Sequence, residues 1–270
     1  MSAGLAALHD LPGRGRSFVM QSLAVAHADA LKLRHDPTEI ITRAVQPVLW
    51  LTIFGELMTR IHGIPTGSLT YLEFLTPGIL AQSSLFVAIF YGFDVLWERD
   101  LGILVKYIAS PASRGALVLG KGLAAGVRGI SQAAIIFAIS PALGVRLNFT
   151  PLSITVVIGA ILLGAAIFCT FSLIIACTVK ARERFMGIGQ ILTMPLFFAS
   201  NAIYPIDLMP PWMSTIAKLN PLTYQVDALR SALLGAGQDG IGLGIDFAVM
   251  SGTLVVMLAI AAKIYPTVLY

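Results

Sequence analysis

Long apolar runs dominate the hydrophobic pattern of this 270-residue chain. Six of them reach about 20 residues, the length that an α-helix needs to cross a bilayer. They cover residues 40–61, 71–97, 115–142, 152–179, 185–205 and 246–269. These runs are too long and too uniformly apolar for the alternating strands of a membrane barrel. The pattern therefore predicts an all-α membrane protein, with residues 1–270 forming a single transmembrane domain of six helices.

The composition of the chain fits this prediction. Hydrophobic residues make up 57% of the sequence and charged residues 12%, and the mean hydropathy is +0.84. Soluble domains carry about 25% charged residues. We therefore exclude a soluble domain and expect the chain to lie in a lipid bilayer.

The positions of Lys and Arg predict how the spans are oriented. If the six spans alternate in direction, 14 of the 18 basic residues fall on one side of the membrane. Basic residues close to a span are retained on the cytoplasmic side, so we expect both termini in the cytoplasm. The formal net charge of +4 follows from this topology and gives no reason to expect a nucleic-acid partner.

Residues 17–36, ahead of the first span, have a helical pattern of their own. One side of the helical wheel carries Val19, Met20, Leu23, Ala30 and Leu31, and the other carries Gln21, Ser22, Asp29 and Lys32. This amphipathic pattern predicts a helix that lies in the membrane interface. An ordinary cytosolic helix is the alternative.

A charged segment, residues 98–113, interrupts the apolar pattern between the second and third spans. After Glu98, apolar residues recur at i, i+3, i+4 and i+7, namely Leu101, Leu104, Val105 and Ile108. This spacing is typical of an amphipathic helix, and Ser110-Pro111 ends it. We expect a short helix parallel to the membrane here, with a solvated loop as the alternative.

The segment 201–244, between the fifth and sixth spans, contains two short apolar stretches separated by prolines. Neither stretch is long enough to cross a bilayer, so we expect re-entrant short helices. Tyr204, Trp212 and Tyr224 suit the headgroup region, where aromatic side chains concentrate. We therefore expect this segment to lie on the outer side of the predicted bundle.

The sequence lacks the patterns of an enzyme. The run Gly115–Lys121 has the spacing of a phosphate-binding loop, but Gly122 follows the lysine and no strand precedes the run. No nucleophile elbow, metal-ligand spacing or pair of carboxylates placed for acid–base catalysis is present. Cys169 and Cys177 lie eight residues apart on one predicted helix, too far to form a disulfide. We expect no catalytic residue, cofactor or metal in this chain.

Ionisable residues at membrane depth are costly and therefore informative. Those at or near this depth are Glu56, Arg60, Glu73, Asp94 and Arg128. The i, i+4 spacing of Glu56 and Arg60 predicts a pair on one helix face. Arg128 lies well inside the third span, and we expect it to line a cavity or to make a helix contact.

Two motifs carry a family resemblance. The first comprises Glu98-Arg99, Leu101-Gly102, Ser110-Pro111-x-Ser113-Arg114 and Gly120-Lys121. The second comprises Tyr204-Pro205-Ile206, Met209-Pro210-x-Trp212 and Asn220-Pro221-Leu222-Thr223-Tyr224, followed by Asp227 and Arg230. Together and in this order, they resemble the inner-loop and outer-segment motifs of type-2 ABC export permeases. That group includes antibiotic-resistance and nodulation-factor exporters.

The resemblance implies a multi-pass permease in a bacterial cytoplasmic (inner) membrane. Two permeases, identical or different, would pack together, each docked on an ABC ATP-binding subunit that holds ATP and Mg. The ATPase-coupling residues implied are Glu98, Arg99, Leu101, Gly102, Leu104, Lys106, Tyr107, Pro111 and Arg114. The re-entrant or exit residues implied are Tyr204, Pro205, Pro210, Trp212, Asn220, Pro221, Tyr224, Asp227 and Arg230.

The few fixed charges in the spans favour an amphipathic small molecule, such as an antibiotic, drug or glycolipid, over an ion as cargo. Export of a lipid-linked polysaccharide by the same fold is an alternative, favoured if Trp50, Phe54 or Phe90 line the path. An ion-coupled transporter or channel that works without an ATPase is another, and a structural membrane scaffold is a third.

Overall fold

A computed structural model of the protein describes residues 14–35, 37–61, 64, 66, 69–103, 112–179, 182–235 and 240–265. Within these ranges all regular secondary structure is helical and there is no strand, which confirms the all-α class. The helices are α1 (Arg14–His35), α2 (Pro37–Leu49), α3 (Glu56–Ile61), α4 (Tyr71–Gly92), α5 (Asp94–Asp100), α6 (Arg114–Ile139), α7 (Pro151–Val179), α8 (Arg182–Phe198), α9 (Pro211–Leu219), α10 (Pro221–Leu234) and α11 (Leu243–Ile264). A π-helical stretch, Trp50–Gly55, joins α2 to α3.

Four helical segments among the described residues are long and apolar enough to cross a bilayer. They are Tyr71–Asp100, Arg114–Leu143, Pro151–Val179 and Leu243–Ile264, and they match the predicted second, third, fourth and sixth spans. The predicted first span, 40–61, is helical throughout but is divided between α2, the π-helical stretch and α3. The predicted fifth span, 185–205, is shorter than expected because α8 ends at Phe198. The layout with six spans stays a prediction.

The first segment contains two neighbouring irregularities. Pro47 lies inside α2, and the π-helical stretch begins three residues later at Trp50. Proline donates no backbone hydrogen bond, and its ring crowds the carbonyl four residues earlier. Trp50 then packs edge-on against Phe54 and Phe197, with ring centroids 5.0 and 6.0 Å away. The interrupted segment is therefore held against the bundle by aromatic contacts.

Helix α4 forms the centre of the bundle. Nearly all of its side chains are buried among α6, α7 and α10. In contrast, α11 exposes apolar side chains such as Val255, Val256 and Ile260. Exposed apolar surface of this extent is unusual in water but ordinary in lipid. The bundle thus has a packed interior and a periphery suited to a bilayer.

Two acidic residues near the predicted membrane boundary have structural roles. Thr70 and Glu73 form a capping box at the start of α4: the Thr70 backbone N–H donates to Oε2 of Glu73 (3.0 Å), and the Glu73 N–H donates to Oγ1 of Thr70 (3.3 Å). Such a box satisfies backbone donors that a helix leaves free at its first turn. The predicted pair between Glu56 and Arg60 is also present, with 3.0 Å between Oε1 and Nη2.

Gly78 allows the backbone that follows α8 to approach α4 closely. A Cβ atom at Gly78 would lie 2.2 Å from the carbonyl oxygen of Ala202, and backbone cannot move away cheaply. We expect Gly78→Ala to lower the free energy of unfolding by about 2 kcal/mol, measured by thermal unfolding in detergent. At Gly252 in α11 a Cβ would meet nothing within 4 Å, so Gly252→Ala should be neutral or stabilising. Equal losses in the two variants would contradict this close contact.

Helix α1, Arg14–His35, lies where the sequence predicts a helix over residues 17–36, but two residues of its predicted polar side do not face water. Ser22 and Asp29 are buried, whereas Val19, Leu23 and Leu31 are exposed. The buried side lies against α6, where a Cβ at Gly120 would be 2.8 Å from the backbone oxygen of Ser22. The uncovered apolar side suits the interfacial position that the sequence predicts.

Candidate coupling site

The structure describes part of the predicted coupling segment, residues 98–113. Glu98, Arg99, Leu101, Gly102 and Arg114 lie within the described ranges. The other predicted coupling residues, Leu104, Lys106, Tyr107 and Pro111, lie outside them. The site is therefore built from the two ends of the segment and from the helices that hold them.

The predicted helix starting at Glu98 is wrong in its first turn. Glu98 and Arg99 belong instead to α5, which continues from α4 and ends at Asp100. Gly102 follows with a φ of 69°, a conformation that glycine adopts at low cost and that commonly ends a helix. The chain turns at Leu101-Gly102. Glu98 and Arg99 therefore lie before this turn, at the end of α5, and not after it.

Glu98 forms a buried ion pair with Lys121 of α6. The Nζ atom of Lys121 donates to Oε1 of Glu98 at 2.7 Å and lies 2.6 Å from Oε2. The two side chains are 11% and 4% exposed. Because both charges are withdrawn from solvent, each depends on the other for compensation. The first motif thus uses its glutamate and its lysine to join the end of α5 to α6.

Asp29, Tyr91 and Arg128 connect α1 to α4 and α6 close to this ion pair. The hydroxyl of Tyr91 in α4 donates to Oδ2 of Asp29 in α1. The guanidinium carbon of Arg128 in α6 lies 4.2 Å from the centre of the Tyr91 ring, within cation–π range. Arg128 is buried and makes this helix contact, one of the two roles expected for it. We call Asp29, Tyr91, Glu98, Lys121 and Arg128 the buried polar cluster.

The far end of the coupling segment is also attached to α1. The Ser113 hydroxyl accepts a hydrogen bond from the Ala116 N–H (3.3 Å) and so caps α6. The Ser113 backbone N–H donates to Oε1 of Gln21 in α1 at 3.0 Å. Arg114 is exposed beside this cap. Both ends of the segment are therefore fixed to helices of the bundle.

Apolar side chains next to the buried polar cluster are exposed. Trp97, Leu101 and Ile103 are 55%, 70% and 38% exposed. Beside them Arg99 and Asp100 pair with each other, with 2.9 Å between Nε and Oδ1. A partly exposed aromatic residue with apolar and charged neighbours has the composition of a protein interface. We call Trp97, Leu101 and Ile103 the exposed coupling patch.

Sequence reasoning missed several of these residues. Asp29 and Tyr91 were not singled out as a pair, because they lie 62 positions apart and meet through packing alone. Lys121 belonged to the recognised motif, and a lysine following an apolar run was a usable signal of a buried partner. Trp97 and Ile103 had no signal beyond their hydrophobicity.

The second motif holds the turn between α8 and α10. Oδ1 of Asn220 accepts from the Leu222 N–H (3.0 Å) and caps α10, while its Nδ2 donates to the carbonyls of Leu196 (2.7 Å) and Ala199 (3.0 Å). These carbonyls lie at the end of α8, where a helix leaves acceptors without partners. Asn220 thereby joins two helix ends with one side chain.

Arg230 and Asp227 act on neighbouring backbone. Nη2 of Arg230 donates to the carbonyl of Asn201 (2.8 Å), and its guanidinium lies 3.9 Å from the centre of the Phe74 ring. Burial lowers the pKa of Arg230 to about 10, and the nearby Asp227 opposes this shift. Oδ2 of Asp227 accepts from the Ile241 N–H at 2.9 Å. The charged residues of this motif stabilise backbone turns.

The remaining residues of the second motif shape the same surface. The hydroxyl of Tyr224 donates to the carbonyl of Lys218 (2.7 Å), and that of Tyr204 donates to the carbonyl of Phe198. Pro221 occupies the first turn of α10, while Pro205 and Pro210 immediately precede helices. Trp212 is exposed on α9. Short helices α9 and α10 are present, as predicted for 201–244; their depth in the membrane stays a prediction.

We expect Asn220→Ala to lower the free energy of unfolding by about 3 kcal/mol, because it removes a cap and takes a donor from two partly buried carbonyls. Asn220→Asp keeps the cap but loses both donors, so its loss should be nearly as large. Trp212→Ala, in the same segment but exposed, should stay within about 0.5 kcal/mol of the parent. Thermal unfolding in detergent measures all three, and a harmless Asn220→Ala would contradict the bridging role.

Comparisons with known proteins bear on this arrangement. The sequence profile described as "ABC-2 type transporter" matches residues 20–234. "Putative transport permease ycf38" of Cyanophora paradoxa is 27% identical, over 79% of this chain and 74% of the relative. "Probable doxorubicin resistance ABC transporter permease protein DrrC" of Mycobacterium tuberculosis is 24% identical, over 83% and 82%. "Nodulation protein J" of Rhizobium leguminosarum bv. trifolii is 24% identical, over 73% and 74%.

Proposed function

The chain belongs to the ABC-2 type transporter family, and from this premise we propose that it is the permease subunit of an ATP-driven exporter of an amphipathic small molecule. A permease of this family is a non-catalytic membrane component, so work must come from a partner. The family implies pairing with ABC ATP-binding subunits. We place ATP and its Mg on that subunit and both termini of this chain in the cytoplasm of a bacterial cell.

The observation that carries the proposal is the attachment of the coupling segment at both of its ends. Glu98 is fixed to α6 by Lys121, and Ser113 is fixed to α1 by Gln21. Around the first of these points, the exposed coupling patch offers apolar side chains to a partner. Force applied there has a direct route into α1, α4 and α6.

In the mechanism that we propose, closure of two ATP-binding subunits pushes on the coupling segment and on α1. The buried polar cluster links α1 to α4 and α6, so these helices move together instead of bending apart. Packed elements of this kind shift as rigid bodies between discrete arrangements. Two permease subunits would thereby change the side of the membrane from which cargo is reached.

An amphipathic small molecule is the cargo that we favour. The drug-resistance permease and the nodulation protein named among the relatives support a cargo of this kind, with a glycolipid as one form of it. The three aromatic residues named for the polysaccharide alternative lie in different surroundings. Phe90 lines a cavity, whereas Trp50 and Phe54 pack in the bundle against Phe197 and Tyr71.

Purification from native membranes tests the proposal. We expect an ABC ATP-binding subunit to copurify with the chain, and we expect transport in vesicles to require ATP. A second permease subunit, identical or different, should be present in the same complex. Transport that is driven by a proton gradient without a copurifying ATPase would contradict the proposal and support an ion-coupled transporter.

A further inference from the structure

A cavity of about 220 Å³ lies between α2 and α4. Its polar wall includes Arg43, Gln46, Gln82 and Ser83, and its apolar wall includes Phe86 and Phe90. Neither sequence motif contributes a residue to it. A concave space with an apolar wall and a few polar groups is the usual form of a small-molecule site.

Gln82 carries an amide donor that no group among the described residues accepts from. Its side chain is 2% exposed, and its Nε2 atom has no hydrogen-bond partner within the described part of the chain. A buried amide left in this state is unfavourable. Gln82 lines the cavity, and because Nε2 is itself buried, the amide would turn toward the cavity to donate to an acceptor oxygen on a bound molecule.

Arg43 adds a positive charge to the same wall. A guanidinium and an amide N–H₂ together favour a ligand group with several acceptor oxygens, such as a carboxylate, sulfate or phosphate. The charge of Arg43 also acts on Asp94, which lies one turn beyond Phe90 and outside the lining. We therefore expect the cavity to prefer an anionic ligand to a cationic one, and this preference can be measured.

The apolar wall presents two stacked rings. Phe86 and Phe90 lie one turn apart on α4, with centroids 6.2 Å apart and an angle of 20° between ring planes. Nearly parallel rings offer a flat surface against which another ring can stack with an offset. Gln82 and Phe90 are two turns apart, so the polar and aromatic ends of the cavity are separated by about 12 Å along α4.

We propose that this cavity binds an anionic amphiphile, with its acceptor oxygens on Arg43 and Gln82 and its ring or chain against Phe86 and Phe90. If the bound amphiphile is the exported cargo, the cavity is a site at the start of the transport path. In this respect the inference rests on the proposed function. The same chemistry belongs to an anionic membrane lipid, so the source of the ligand is settled by experiment.

Protection of a thiol inside the cavity tests the proposal. Ser83→Cys is made in the full chain with Cys169→Ala and Cys177→Ala, and the protein is placed in phosphatidylcholine nanodiscs. The rate of alkylation by N-ethylmaleimide is then measured with phenylhexanoate or with phenylhexylamine, which match in ring and chain but differ in charge. We expect the acid to protect at concentrations about tenfold lower than the amine.

Two variants assign the preference to residues. Arg43→Gln should remove most of the difference between acid and amine, and Phe90→Leu should weaken protection by both. Nanodiscs that contain phosphatidylglycerol distinguish the sources of the ligand. Slower alkylation in those discs without added probe would identify a lipid as occupant, and unchanged alkylation together with protection by phenylhexanoate would identify the soluble amphiphile. Both outcomes support an anionic site.

Other outcomes overturn the proposal. These are no alkylation of the introduced thiol, equal protection by acid and amine, or an unchanged preference in Arg43→Gln. A second measurement keeps the native cysteines: phenylhexanoate should raise the melting temperature of the unmodified chain but not that of Arg43→Gln. Copurification of the ATP-binding subunit is scored separately, so failure of the cavity and failure of the proposed function give different results.

Discussion

Replacing Lys121 by Met should lower the free energy of unfolding by about 3 to 5 kcal/mol, because the Glu98 carboxylate then stays buried without its partner. Thermal or denaturant unfolding in detergent measures the loss. The double variant Glu98→Leu with Lys121→Met should recover most of it, since an apolar pair can replace a buried ion pair. We expect this to be among the largest stability effects of single substitutions in the chain.

The chain supplies a matched control for this prediction. Arg60 and Glu56 also form an ion pair, but their side chains are 77% and 48% exposed. Arg60→Met should therefore cost less than about 1 kcal/mol. If Lys121→Met and Arg60→Met had equal effects, the pair between α5 and α6 would not be the structural link that we describe.

Leu101→Glu should reduce ATP-dependent transport more than tenfold while leaving the fold intact. Leu101 is 70% exposed in the coupling patch, so a charge there costs the isolated subunit little but is desolvated when a partner docks. Transport in vesicles and ATPase activity of the purified complex give the readout. The melting temperature of the variant shows that the bundle has formed.

Leu219→Glu is the matched control. Leu219 is also strongly exposed, but it ends α9 in the segment 201–244. Transport should keep at least half of its parental rate in this variant. Normal coupling in Leu101→Glu, or equal damage in both variants, would contradict docking at the coupling patch.

The sequence alone would have suggested another experiment, the reversal of the charges at Glu98 and Arg99. The structure shows why that experiment is ambiguous. Glu98 is buried against Lys121, so a positive charge there would damage the fold before it affected any partner. Leu101 is the better target because it combines a place in the motif with exposure.

Properties set by local pattern were predictable. The four long helices follow from apolar length, and the Glu56–Arg60 pair follows from i, i+4 spacing. The helix before the first span was also predicted. In each case the information lies within about one helical turn or in the hydrophobicity of one segment.

Properties set by packing between helices were not predictable. Asp29 meets Tyr91 because Gly120 lets α1 approach α6, a contact that no local pattern encodes. The end of the long helix was misplaced because the charged residues 98–100 interrupt the apolar run, although α5 continues through them to Asp100. Glycine commonly ends a helix by adopting a positive φ, as Gly102 does, so this glycine was the residue of the sequence that indicated the turn.

The second motif also makes contacts that its sequence pattern did not reveal. Its residues were expected to shape an exit, and the structure gives Asn220, Asp227 and Arg230 contacts with neighbouring backbone. Asparagine and arginine suit this task because one side chain can reach several backbone groups. A motif recognised by resemblance can thus owe its spacing to the fold while its role in transport stays a prediction.

Site-specific photo-crosslinking tests the central claim most directly. A benzophenone amino acid is placed at position 101 or, as the control, at position 219, and the complex is irradiated in native membranes. Our account predicts that the probe at 101 crosslinks to the ABC ATP-binding subunit and that the probe at 219 does not. An ATP-binding subunit that copurifies but never crosslinks to position 101 would contradict the claim that the exposed coupling patch is where the two subunits meet.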